Sequence, residues 1–141
     1  MTNHKTPAQP HDQLKLRGID HRLGAVAVAL GDASTAEQHY RTALSITERL
    51  AAADPDNAQY QRDLTASHNN LGNLAVALGD TTTAEQHYRT YLTIAERLAA
   101  ADPGNAGYQR DLSISHNKLG DLAATLGDNT TAEQHYRTAL S

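Results

Sequence analysis

Ala84-Glu85-Gln86-His87-Tyr88-Arg89-Thr90 decides the fold, because the same seven residues stand again from Ala36 and from Ala132. Both offsets, 84 − 36 and 132 − 84, are 48 residues. A segment that recurs at a fixed period is one structural unit, and such units bury their apolar faces by stacking on their own copies. The fold is therefore a stack, and any function lies on the surface that the stack presents.

Working outward from Ala84, the preceding Gly79-Asp80 ends one helix and the following residues form the next. Tyr60, Leu64, Ser67, His68, Leu71, Leu74, Ala75 and Leu78 recur at spacings of three and four, a helical stripe that stops at Gly79. Thr82 with Glu85 reads as a capping box, as do Ser34 with Glu37 and Thr130 with Glu133. Beyond the box, Ala84, Tyr88, Tyr91, Leu92, Ala95, Leu98 and Ala99 share one face, and Glu85 and Arg89 form an exposed pair four apart. Pro103 disfavours helix at Asp102, and Asn105 is the N-cap of the next helix; Pro55 and Asn57 repeat this one unit earlier. Each unit is thus an antiparallel pair of helices of about 20 residues, roughly 30 Å long.

The expected division is a disordered tail over 1–11, a first unit over 12–54 with a degenerate first helix, a second over 55–102, and a third over 103–141 with a shortened second helix. Gly18 and Asp20 make the opening helix irregular, Asp20 standing where His68 and His116 stand in the other units. The short third unit suggests a piece of a longer array.

Composition narrows the function. With 12 Lys and Arg against 16 Asp and Glu, the formal net charge is −4, unsuited to neutralising phosphates, so nucleic acid is not expected as a partner. Cysteine is absent, which removes disulfides, thiolate catalysis and cysteine-based zinc sites. Residues 1–13 contain no apolar run for a signal peptide, and no window approaches the ~18 apolar residues of a membrane span. A cytoplasmic location is the default. The eight histidines lack metal-binding spacing, and His39, His87 and His135 fall one per unit. His68 and His116 read as hydrogen-bonded packing residues. No phosphate-cradling loop and no Ser, His and acid constellation is present, so no catalytic residue, metal or cofactor is expected. Asp63 with Arg62 and Asp111 with Arg110 read as solvated or inter-unit charge pairs.

His68-x-x-Leu71-Gly72, Ala75, Gly79-Asp80, Ala84 and Tyr88 resemble the tetratricopeptide repeat signature, as do Leu23-Gly24, Gly31, Ala36 and Tyr40, and Leu119-Gly120, Gly127, Ala132 and Tyr136. The resemblance implies an all-α, right-handed alpha-alpha solenoid of helix hairpins. That family's repeat is about 34 residues. The 14 additional residues here divide into about two turns on each helix, which rotate the buried face by only ~20° per heptad. The unit therefore resembles a long-helix variant, of a kind found in large bacterial scaffold or signalling proteins. Three positions depart from the pattern: His68 and His116 replace a large aromatic, Ala75 a larger residue, and Tyr91 an alanine such as Ala43 or Ala139.

The resemblance also implies a non-catalytic protein-interaction scaffold whose first helices line a concave groove. The residues flanking Leu-Gly would then face a peptide: His21, Arg22, Asn69, Asn70, Asn73, Asn117, Lys118 and Asp121. Asn69-Asn70 resembles the paired asparagines of kinesin light chain repeats, whose amides offer both donors and acceptors to an extended peptide. A carboxylate clamp is represented only by Arg22, Asn69 and Lys118, with Asp121 opposing it. The alternative is self-assembly, a dimer or head-to-tail polymer formed where the shortened last helix leaves Tyr108, Leu112 and Ile114 under-covered.

Overall fold

In a computed structural model, which describes residues 9–141, six α-helices follow one another with no strand among the described residues. They are α1 (Pro10–Ala29), α2 (Ala33–Ala53), α3 (Ala58–Ala77), α4 (Thr81–Ala101), α5 (Ala106–Thr125) and α6 (Asn129–Ala139). Each helix packs on its sequence neighbour, in hairpins α1/α2, α3/α4 and α5/α6 joined through α2/α3 and α4/α5. This is an all-α helical-repeat solenoid, with its apolar contacts distributed along the stack. The proposed tail over 1–11 lies mostly outside the described residues, and Pro10 and His11 already belong to α1.

The hairpin turns are set by glycine, since Gly31, Gly79 and Gly127 adopt φ of 76°, 77° and 82°, where a side chain would be strained. Asn57 and Asn105 cap α3 and α5, accepting the backbone N–H of Tyr60 and of Tyr108 at 3.1 Å each. The capping boxes at Ser34, Thr82 and Thr130 do not form. Helix begins earlier, and Asp32, Asp80 and Asp128 are the N-caps. Asp80 Oδ1 accepts from Thr83 N at 3.1 Å, while Thr83 Oγ1 donates to Asp80 Oδ2 at 2.6 Å. An Asp at this site takes two donors and sits in the positive end of the helix dipole, which a threonine hydroxyl cannot match. Those bonds, from the Thr side chain and then its backbone, hold all three carboxyls below the usual range. The displaced glutamates pair along the helix instead, as Glu85 does with Arg89 at 2.6 Å.

Within each hairpin the second-helix tyrosine ring packs directly against the first-helix glycine. A Cβ on Gly24, Gly72 or Gly120 would come within 2.5, 2.4 or 2.7 Å of the ring of Tyr40, Tyr88 or Tyr136. The Leu-Gly step therefore buries Leu71 in the core and lets Tyr88 cover the helix backbone beside it. Between hairpins, Leu71 and Leu74 of α3 pack with Ala36 and Tyr40 of α2, and Leu119 and Leu122 of α5 with Ala84 and Tyr88 of α4. Leu78 leaves the expected stripe and is exposed, because it sits at the helix C-cap.

Tyr91, large where its counterparts are alanine, is fully incorporated in the core. It is 5 % exposed, and burial, with Asp111 adding to it and Arg62 opposing, pushes its phenol up to about 12. The charge pairs are inter-unit and do not join sequence neighbours: Arg62 clasps Asp111 through Nε at 2.9 Å and Nη2 at 3.3 Å, and Arg17 stands 4.0 Å from Asp63.

Candidate functional site

Positions 59, 62, 66, 69, 73 and 76 of α3 recur at three and four, so they share one helical face. At one end of that face Asn73 and Val76 border, with the matching part of α5, a groove of about 190 Å3 lined also by Tyr88, Lys118, Asp121 and Thr125, among others. Both units fix a polar side chain of this face from the tyrosine beneath it. Tyr88 donates its hydroxyl to Asn73 Oδ1 at 2.7 Å, and Tyr136 donates to Asp121 Oδ1 at 2.5 Å. Burial, with the Asp121 carboxylate contributing, pushes the Tyr88 phenol up to about 12, so it remains a donor throughout the neutral range. With Oδ1 occupied, Asn73 turns Nδ2 and its two hydrogens outward. Asp121 likewise keeps one carboxylate oxygen as an acceptor, and Lys118 adds a cationic donor to the same groove.

The eight sequence-selected residues are spread over three first helices, and the groove brings together only Asn73, Lys118 and Asp121. His21 and Asn70 are occupied with each other across the first junction, Nδ1 to Nδ2 at 3.3 Å. Arg22 is exposed and donates through Nε to Gly18 O at 3.4 Å. Asn117 is exposed, whereas Asn69 is half-buried with its Oδ1 enclosed and unpartnered. The Tyr88 and Tyr136 hydroxyls had no part in the sequence reading, though each stands 15 residues after the residue it contacts.

A second constellation lies inside the hairpins. His68 Nδ1 meets His87 Nδ1 at 3.0 Å, and His116 Nδ1 meets His135 Nδ1 at 3.0 Å. In the first unit Asp20 takes the place of the first histidine, its Oδ1 3.1 Å from His39 Nδ1. The reading of His68 and His116 as hydrogen-bonded packing residues agrees with this. Among the described residues no three His, Cys, Asp or Glu converge to hold a metal ion. None of the described helices is long and apolar enough to cross a membrane.

Comparison with known families adds one finding. A tetratricopeptide repeat model matches residues 65–97 and 114–141, the parts of the second and third hairpins that carry the Leu-Gly, Gly-Asp and Tyr positions. The chain carries tetratricopeptide repeats. No curated protein matches it. Tetratricopeptide repeats are in general protein-interaction modules on a non-catalytic scaffold, and the repeats here differ in period, 48 residues rather than about 34.

Proposed function

We propose that this solenoid is a protein-interaction scaffold whose concave first-helix face binds an extended segment of a partner protein. The observation that carries the reading is the pair of anchored polar groups in one groove. Asn73 and Asp121 are each held from below by a tyrosine hydroxyl, which leaves a donor and an acceptor pointing outward beside Lys118. An extended peptide alternates carbonyl and N–H groups, and preorganised amides meet them with little loss of side-chain entropy. Asn117 lies on the same helix as Lys118 and would extend the row; His21, Arg22, Asn69 and Asn70 would continue it toward α1. Selection from a phage-displayed library of linear peptides tests this. Asn73→Ala combined with Lys118→Ala is expected to weaken captured peptides at least about tenfold, on the basis of two to three hydrogen bonds of ~1 kcal/mol each. Unchanged affinity would remove these residues from the groove.

A second reading is self-association, favoured by the bare face of α1. Leu16, Ile19, Leu23 and Val26 are 51, 49, 44 and 54 % exposed, whereas Leu71 and Leu74, the equivalents of Leu23 and Val26, are buried against α2. The matching surface at the other end is the half-buried Tyr136 of α6 with the exposed Leu140 that caps this helix. Tyr108, Leu112 and Ile114 are half-buried, with Arg62 5.7 Å above the Tyr108 ring, so the wider apolar surface is on α1. Head-to-tail contact would set Arg110 against Lys15, which stands where Asp63 and Asp111 accept arginines. Any assembly should therefore strengthen as salt screens that repulsion. Sedimentation velocity over a concentration series at low and high salt is expected to show larger species at high salt, abolished by Leu23→Asp. A constant monomer mass would exclude it.

A further inference from the structure

Beside the groove, at the junction of the second and third hairpins, lies a polar cavity of about 320 Å3 whose lining includes Gln59, Arg62, Asp63, Asn69, Tyr91 and Asp111. Most of its polar groups are already committed to one another. Gln59 Nε2 donates to Asp63 Oδ1 at 3.0 Å, and Arg62 makes its two bonds to Asp111. Thr65 Oγ1, also in the wall, donates to Arg62 O at 2.6 Å. Two groups remain. Asn69 Oδ1 is an enclosed acceptor with no partner, and the Tyr91 hydroxyl makes no hydrogen bond to any described residue although the ring around it is buried. An enclosed acceptor without a donor is costly, so it marks a place where a donor belongs. The site is specific to this unit: Ala43 and Ala139 occupy the position of Tyr91 in the others.

We infer that this cavity receives the primary carboxamide of a glutamine side chain on the bound peptide, its NH2 donating to Asn69 Oδ1 and its carbonyl accepting from the Tyr91 hydroxyl. The inference rests on the groove reading, since Asn69 lies one turn from Asn73 on the same face of α3. A carboxamide carries one donor group and one acceptor, the complement of Asn69 Oδ1 and the Tyr91 hydroxyl. A carboxylate would bring a third negative charge beside Asp63 and Asp111 and offer no donor to Asn69 Oδ1. An ammonium group finds both aspartates already facing guanidinium groups. Burial keeps the Tyr91 phenol protonated, so it donates across the neutral range.

N-acetylglutamine methylamide is the probe, titrated into the full chain and followed by nuclear magnetic resonance at the Asn69 side-chain amide and the Tyr91 ring. Saturable shifts at both groups are expected, at least about fivefold stronger in apparent affinity than with the glutamate and leucine analogues. Tyr91→Phe, which removes only the hydroxyl from the buried ring, is expected to weaken binding about five- to tenfold with helicity and thermal midpoint unchanged, the loss of one hydrogen bond. Asn69→Ala should do the same with Tyr91 in place. Equal response to the glutamate analogue, or affinity indifferent to both substitutions, overturns the inference. Library peptides that bind through Asn73 and Lys118 with no preference for glutamine would also overturn it while leaving the groove intact. Shifts at Asn69 and Tyr91 without any peptide capture would preserve the cavity and remove the groove.

Discussion

Gly72→Ala is expected to lower the free energy of unfolding by about 2 kcal/mol or more, an effect on the scale of overpacking a dense core. The added Cβ would sit 2.4 Å from Tyr88 Cε1 and 2.7 Å from Cδ1, well inside contact distance. The ring has nowhere to retreat, because it is 3 % exposed and its hydroxyl is fixed on Asn73. Alanine's better helix propensity returns only about 1 kcal/mol. The second hairpin carries both inter-unit interfaces, so opening it uncouples its neighbours as well. Gly18 supplies the control: a Cβ there meets nothing nearer than Arg22 Nη2 at 3.8 Å, and Gly18→Ala should stabilise by roughly 0.5–1 kcal/mol. Urea denaturation followed by circular dichroism measures both, and equal midpoints for Gly72→Ala and the parent chain would contradict the tyrosine-on-glycine contact. The same variant reports on the groove, since a displaced Tyr88 releases Asn73.

These contacts divide sharply by how far along the chain they reach. Helix periodicity, the Gly79 stop and the Asn57 and Asn105 caps depend on residues within about a turn of each other, and the sequence alone placed them. The cap at Asp80 was missed although it too is local, because Thr82 and Glu85 satisfied a familiar pattern two residues further on; Asp80 with Thr83 offers a stronger pair of bonds. Tyr91 showed the limit of comparing units, since its ring is buried at a junction where Arg62 and Asp111 meet from two first helices, and neither residue adjoins it in sequence. Asn73, Lys118 and Asp121 could be assigned to one face from spacing and family resemblance. What fixes them, a tyrosine 15 residues on, crosses the hairpin and has no signature within a single helix. The histidine pairs cross it too, at a separation of 19, and their one visible trace is that Asp20 replaces the first member while His39 keeps the second.

That replacement carries the other large effect, a loss of stability in acid confined to two of the three hairpins. Burial, with His87 adding to it, pushes His68 down to about 4, and His87 is lowered by burial and by Arg41 of α2. In the third hairpin His116 is lowered by burial and His135, with Glu96 of α4 opposing, and His135 by burial and Arg89. With one proton already between two Nδ1 atoms 3.0 Å apart, a proton on the accepting Nδ1 would set two N–H groups against each other and break that bond. Each folded pKa lies below the unfolded value of 6.5, so the unfolded chain binds more protons in acid. The stability is complete above about pH 6.5 and is lost as pH falls toward 4. His68 alone accounts for on the order of 2 kcal/mol, its formal shift discounted for partial exposure to water. In the first hairpin His39 Nδ1 instead faces the Asp20 carboxylate oxygen at 3.1 Å, and no second imidazole stands opposite it. Hydrogen exchange at pH 5 should therefore show α3 to α6 opening more than at pH 7.5, relative to α1 and α2. His68→Asp, which copies the first unit, should restore protection to α3 and α4 while leaving α5 and α6 acid-sensitive; uniform loss across all six helices would place the acid response outside these pairs.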